Sequence, residues 1–174
     1  MVFFRIKKIK GKEYAYIVEN MWKMKGSRQR VKEYIGRAYR FDLNNDVDFW
    51  HFVKAQNSEE YLTQMDIKKI ISDLIEWELF KFNIDRQQFC IGLNDKKVQR
   101  NKKDIALLIN DGFMCSLTLK NLLEFKIEND EEKDGYRFAR AFVEAGIKVP
   151  SGVYFYTIRS GNTETTGKIV LMPR

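Results

Sequence analysis

The sequence predicts an α+β fold: an N-terminal three-stranded antiparallel sheet, central helices and short hairpins, and a C-terminal β-hairpin. Three observations predict it. Both ends of the chain alternate apolar and polar residues with a period of two, the pattern of half-buried strands. Between Met65 and Phe82, Ile67, Ile70, Ile71, Leu74, Ile75 and Leu79 recur at three- and four-residue steps, which lines them up on one helix face. Turn chemistry (Gly11, Gly26, Asn94-Asp95, Asn101-Lys102, Gly161-Asn162) separates the short runs.

Taken in order, Phe3 to Lys10 alternates aromatic or aliphatic with basic residues, Gly11-Lys12 is a turn, and Glu13 to Trp22 is rich in β-formers. Lys25-Gly26-Ser27 turns the chain again, Arg28 to Ile35 alternates, and Gly36 is expected to close the unit. Residues 1–40 are thus a basic β-meander module and 41–174 a mixed α+β body. In the body, Phe41 to Asn57 is a connection with a short helix around Phe49, and Ser58 caps the helical stretch that follows. Phe89–Leu93, Lys97–Arg100 and Asp104–Asn110 are short strands. Ser116 caps a helix through Phe125, and Glu131–Ala145 forms another that ends at Gly146. Gly152–Arg159 then pairs with Thr165–Met172, and Ile158 and Val170 serve the core.

Composition bounds the function. With 44% hydrophobic and 14% aromatic residues in 174, the chain is globular and can bury a sizeable core. No run of about 18 uncharged apolar residues exists, so no membrane partner is expected. Nor does a secretory signal open the chain, and a cytoplasmic location follows by default. Cys90 and Cys115 lack CxxC spacing and are expected to be reduced, buried thiols.

The charge is lopsided. Residues 1–40 hold twelve Lys/Arg against three acids (Glu13, Glu19, Glu33), whereas the remainder holds nineteen bases and twenty-one acids. The whole net charge of +7 therefore sits at one end. A basic end on a near-neutral body points to a polyanionic partner, nucleic acid first. Strand alternation puts Arg5 and Lys7 on one face of the first strand and Arg28, Arg30 and Lys32 on one face of the third. Phe4, Ile6, Val31 and Ile35 fall opposite. If the apolar set faces the core, five cations gather outside, where phosphate would relieve their repulsion. Lys12 and Lys25 sit at the turns, and Tyr14, Tyr16 and Trp22 can stack on bases if they face outward. Neutralising five phosphates would give a log–log salt slope near about −4.5 on duplex DNA. Small antiparallel sheets also carry Lys and Arg for solubility and to protect their edges.

These residues carry a family resemblance. Phe-Phe-Arg-Ile-Lys-Lys-Ile-Lys-Gly-Lys-Glu-Tyr-Ala-Tyr-Ile-Val-Glu-Asn, a glycine turn, then Arg-Gln-Arg-Val-Lys-Glu-Tyr-Ile-Gly-Arg resembles the N-terminal module that precedes the catalytic domain of IS1634-like transposases and occurs in some archaeal proteins. The resemblance covers about a quarter of the chain and implies an arm associated with nucleic acid, DNA or RNA. It does not imply transposition, because the long acidic catalytic domain of those enzymes is missing. Residues 148–174 are similar to the end of the C-terminal sorting domains of type IX secretion substrates, without the preceding strands, and are expected to be a structural hairpin.

Other chemistries fit less well. His51 is the only histidine, which removes triads and His-rich metal sites. Asp42-x-Asn44-x-Asp46-x-Asp48 resembles a calcium loop but has Val47 where the turn glycine belongs and Val53 at the last ligand position. Glu76 or Glu78, Asp85 and Asp95-Lys96-Lys97 resemble the carboxylate-and-lysine set of a Mg-dependent nuclease, yet Asn94-Asp95-Lys96-Lys97 reads better as a hairpin turn. The helices between Ser116 and Ala145 have helix-turn-helix spacing, but the second opens with Asp130, Glu131, Glu132 and Asp134, which would repel phosphate. That acidic helix, or the hairpin edge, suits a protein partner instead, and a protein-interaction module is the rival class. The expected function is non-enzymatic nucleic-acid binding through Arg5, Lys7, Lys12, Lys25, Arg28, Arg30 and Lys32, with no cofactor and no metal.

Overall fold

The structure is a computed structural model that describes residues 2–23, 26–125, 131–148, 152–160 and 163–171. β1 (Val2–Ile9), β2 (Lys12–Lys23) and β3 (Gly26–Arg40) form an antiparallel meander. The β1–β2 turn is Lys10-Gly11, both at positive φ (50° and 75°), the backbone that matches the right-handed twist of a two-residue hairpin. That turn sets the register: Lys7 lies opposite Tyr14 and Arg5 opposite Tyr16.

The α+β class holds, but the main sheet is not three-stranded. β3 continues through Gly36 to Arg40, and its last four residues pair in parallel with Ile105–Leu108 of β6 (Lys103–Ile109). β6 also pairs with β5 (Lys97–Arg100) and β7 (Gly112–Cys115), and β5 pairs with β4 (Cys90–Gly92). The result is a seven-stranded mixed sheet in the order β1-β2-β3-β6-β5-β4, with β7 on β6. The cause lies in β6. Its residues Ile105 to Ile109 are buried without interruption, so both faces of this strand must be covered, as in a central strand. The edge of β3 supplies one neighbour. Gly36 permits the approach: at φ +142°, an added Cβ would overlap the Asp104 carbonyl oxygen.

The two faces of β6 feed two cores. Ile105, Leu107 and Ile109 join Met114 under α3 (Ile67–Lys81), α4 (Ser116–Leu123) and α5 (Glu131–Ala145), with Ile75, Leu119, Leu122 and Phe142. Ala106 and Leu108 face the other way, onto Ala15, Ile17, Ile35, Ala38 and Cys115. There Phe4 of β1 stacks on Phe113 of β7 with ring centroids 4.8 Å apart, so these two strands meet over the second core. The expected helix starts shift by one residue. Asn57, not Ser58, accepts the Glu60 N–H before α2 (Ser58–Gln64). Cys115 is the N-cap of α4, while Ser116 Oγ accepts the Val98 N–H from β5. In the calcium-like stretch Asp48 is a helix cap: its Oδ2 accepts from Trp50 N (2.9 Å) and His51 N (3.4 Å) at the start of α1 (Phe49–Phe52). α5 ends as expected, at Gly146 with φ +73°. β7 was not anticipated, although Asn110-Asp111-Gly112 is a hairpin signal and Asn110 takes φ 48°. Cys115 is buried as expected, but Cys90 is exposed, because β4 turns that side chain away from Ile91 and the core.

β8 (Gly152–Ser160) and β9 (Thr163–Leu171) pair as a separate two-stranded sheet, the expected hairpin. Its turn, Gly161-Asn162, and the side chains of Ile158 and Val170 lie outside the described residues. No helix among the described residues is long and apolar enough to cross a membrane.

Candidate nucleic-acid interface

In an antiparallel pair, residues directly opposite share a face. The β1–β2 register therefore puts Arg5, Lys7, Ile9, Lys12, Tyr14 and Tyr16 on one face, and Phe4, Ile6, Lys8, Glu13, Ala15, Ile17 and Glu19 on the other. The second set carries the Ala15–Ile17 core. The first face also holds Phe3 and buried Val18 and runs on through Arg37 to the helix-covered side of β6, but over β1 and β2 its Arg5, Ile9 and Lys12 are exposed and its Lys7, Tyr14 and Tyr16 half-buried. This much agrees with expectation: Arg5 and Lys7 point away from Phe4 and Ile6, and the tyrosines accompany them.

β3 departs from it. Its pairing with β2 slips twice, leaving Ile35 and Lys32 as extra residues with no partner across β2. Each bulge reverses the alternation along β3. Tyr34 (opposite Tyr16) and Arg37 (opposite Tyr14) join the outer tyrosine face, whereas Glu33 (opposite Ile17), Arg30 (opposite Glu19) and Arg28 (opposite Met21) lie on the core-bearing face. The expected gathering of five cations on one surface is thus corrected: Arg5 and Lys7 are together, Arg28 and Arg30 are across the sheet from them, and Lys32 occupies a bulge. Val31, expected opposite the cations, lies on the tyrosine face and is 42% exposed. Lys12 is exposed at the β1–β2 turn. Lys25 and the side chain of Trp22 lie outside the described residues.

What the register builds is a sorted surface. All three acids of the first forty residues (Glu13, Glu19, Glu33) fall on the core-bearing face, and there Arg40 pairs with Glu13 at 3.5 Å. The outer face keeps Arg5, Lys7, Lys12 and Arg37 around three tyrosines. Tyr34 is 55% exposed, its ring centroid 5.2 Å from Tyr16 and 6.4 Å from Tyr14, tilted in both cases rather than stacked flat. Lys7 Nζ lies 5.0 Å over the Tyr16 ring, a cation–π contact that leaves the ammonium free to take an anion. Arg5 donates to Gln29 across the sheet. Partial burial, then the neighbouring Tyr16 and Tyr14, raise the Tyr34 phenol above its ordinary value, so it is neutral and a hydrogen-bond donor at physiological pH. Sequence reasoning missed Tyr34 and Arg37. Gly36, a glycine inside an alternating run, was the available signal for a bulge there.

The nuclease-like residues are not gathered. Arg86 donates to both oxygens of Glu76 (2.9 and 2.8 Å), Glu78 is buried against Lys81 (3.1 Å), and Asp95 folds over the backbone of Gly92 in the β4–β5 turn. Among the described residues no three His, Cys, Asp or Glu side chains cluster as metal ligands would. A surface cleft of about 410 Å³ between α1, α2 and α3 contains Tyr61, Lys69 and Asp73, but these satisfy one another: Tyr61 Oη and Lys69 Nζ both donate to Asp73.

No family model, curated protein or solved structure matches this chain.

Proposed function

We propose that this protein binds nucleic acid through the tyrosine-bearing face of its N-terminal sheet, without catalysing a reaction on it. The observation that carries this reading is the sorting of charge by strand register. Three acids are withdrawn to one face, and Arg5, Lys7, Lys12 and Arg37 are left around the exposed Tyr34 ring and the half-buried Tyr14 and Tyr16 rings on the other. An acid-free cationic surface attracts polyanions, and aromatic rings among the cations suit bases better than they suit a bare phosphate or sulfate. The resemblance of residues 1–40 to the N-terminal module of IS1634-like transposases points the same way.

The test is an anisotropy titration against labelled duplex and single-stranded oligonucleotides at several salt concentrations. Four neutralised phosphates give a log–log slope of about −3.6 on duplex or about −2.8 on a single strand. Arg5→Ala with Lys7→Ala should flatten the slope by about 1.4 to 1.8. Arg28→Ala with Arg30→Ala, on the far face, should flatten it less. The reverse ranking would move the contact to the other face, and a salt-independent signal in every variant would remove nucleic acid as the ligand.

A further inference from the structure

The tyrosine face does not end with the N-terminal strands. Lys7, Tyr14, Arg37 and Ile105 lie side by side across β1, β2, β3 and β6. Two residues before Ile105, and so on the same face of β6, Lys103 stands opposite Arg100 of β5. Tyr39 bridges the gap. Its ring has the Arg37 guanidinium carbon at 4.7 Å and that of Arg100 at 5.1 Å, and Arg100 also lies 5.1 Å from the Phe89 ring. Arg37, the half-buried Tyr39 ring and Arg100 thus form a row of two cations about one ring that skirts Ile105, itself buried under the helices. Asp104, the nearest acid in sequence, lies on the opposite face of β6, where it accepts from Gln99 (3.1 Å) and Ser116 (3.3 Å).

The geometry points to a single-stranded nucleic acid as the occupant of this row, with bases on the Tyr14, Tyr16 and Tyr34 rings and the backbone passing Arg37 to reach Arg100 and Lys103; this rests on the nucleic-acid reading proposed above. Two physical arguments favour a single strand over a duplex. First, Tyr14 and Tyr16 are two residues apart on one strand, so they sit about 7 Å apart along it at roughly 3.4 Å per residue. Stacked neighbours in a duplex repeat at about 3.4 Å. Rings at twice that interval meet bases already drawn apart, and a duplex offers none, because its base faces are covered by each other. Second, the outer ring is available. Tyr34 is more than half exposed and no flat-stacked partner covers it, and one base–aromatic stack is a sizeable, sequence-tolerant contribution. Duplex readers in contrast insert a helix, ribbon or arm into a groove, and rings lying on a sheet face do not reach in.

The experiment titrates oligodeoxythymidine, oligouridine and a self-complementary duplex of matched phosphate number against the full chain and against Tyr34→Ala, Tyr34→Phe and the pair Arg100→Ala with Lys103→Ala. The full chain should bind one or both single strands more tightly than the duplex at equal salt. Tyr34→Ala should weaken single-strand binding by roughly five- to a hundredfold with the salt slope unchanged, since no phosphate contact is lost. Tyr34→Phe, which keeps the ring, should bind within a factor of about two of the full chain, inside that stacking loss. The Arg100/Lys103 pair should flatten the single-strand slope by about 1.4. A duplex bound as tightly as the single strands, or a Tyr34→Ala protein that binds them normally, overturns the inference while leaving salt-dependent binding through Arg5 and Lys7 intact. Failure of all three probes to bind at low salt overturns both proposals together. The ratio of the two single-strand affinities tells RNA from DNA.

Discussion

Glu78→Gln is the substitution this fold should tolerate least. The Glu78 carboxylate is fully buried and accepts from Lys81 Nζ at 3.1 Å, Asn110 Nδ2 at 3.2 Å and the Lys148 backbone N–H at 2.8 Å. It thereby ties the middle of the sequence to the β6–β7 turn and to the segment after α5. Lys81 is 6% exposed, and its ammonium sits 3.7 Å from the centre of the Trp77 ring. The glutamine keeps the shape and one acceptor oxygen but leaves the lysine charge inside the protein with no counter-charge. Removing one partner of a buried pair costs about 3–5 kcal/mol. The Trp77 face still holds the cation, which puts this case at the lower end, about 3 kcal/mol. For a chain of this size that lowers Tm by about 6–12 °C. The assay is urea unfolding, with the midpoint falling at constant m, beside a thermal scan. The double variant Glu78→Gln with Lys81→Met removes both charges and keeps an acceptor oxygen for the Asn110 and Lys148 donors; it should recover part of the loss and, with the two singles, give a coupling energy above about 1 kcal/mol. A Glu78→Gln protein within about 0.5 kcal/mol of the parent would mean that the pair is not holding the fold. A double variant as weak as the single would assign the effect to shape rather than charge.

Two further outcomes follow from the same geometry. Gly36→Ala drives a methyl group into the Asp104 carbonyl at a φ of +142°, and should cost about 2 kcal/mol or more; hydrogen exchange should then rise at Arg37–Arg40 and Ile105–Leu108, and unchanged protection there would refute the close approach. Of the two cysteines, exposed Cys90 should react with an aromatic disulfide reagent in the native protein and buried Cys115 only on unfolding. Burial raises the Cys115 thiol above its ordinary value, more than its hydrogen bonds with Thr118 lower it. The folded state therefore keeps that proton longer than the unfolded one. The resulting stability is complete below the unfolded thiol's pKa and is lost as pH rises past it. Equal native reactivity of the two thiols would contradict the packing.

How far the site was legible can be judged from three pairings. Lys7 opposite Tyr14 and Arg5 opposite Tyr16 follow from a two-residue turn at Lys10-Gly11; the expected turn at Gly11-Lys12 lies one residue later and would set Lys7 opposite Tyr16, so alternation gave the shared face but not the register. Arg28 and Arg30 were misplaced because alternation counts residues without knowing where a strand bulges. The extra residues at Lys32 and Ile35 carry no sequence mark of their own, save Gly36 beside the second. Arg100 and Lys103 were out of reach, since they join the tyrosine face only through the parallel contact of β3 with β6, and nothing local in either segment encodes a partner more than sixty positions away. The helices were easier. Glu131–Ala145 with its glycine cap, and the apolar stripe along Ile67–Lys81, are written in spacings of three and four residues.

The amino-acid order alone determined the α+β class, the concentration of positive charge in the first forty residues and the presence of the first hairpin, because each depends on neighbours a few positions apart. Tertiary structure decided the seven-stranded sheet, the sorting of acids from cations onto opposite faces and the extension of the tyrosine row into the body. Those depend on which strand edges meet and where a bulge shifts the pleat by one residue. A single such shift moves a side chain from one face of a sheet to the other at no change in sequence.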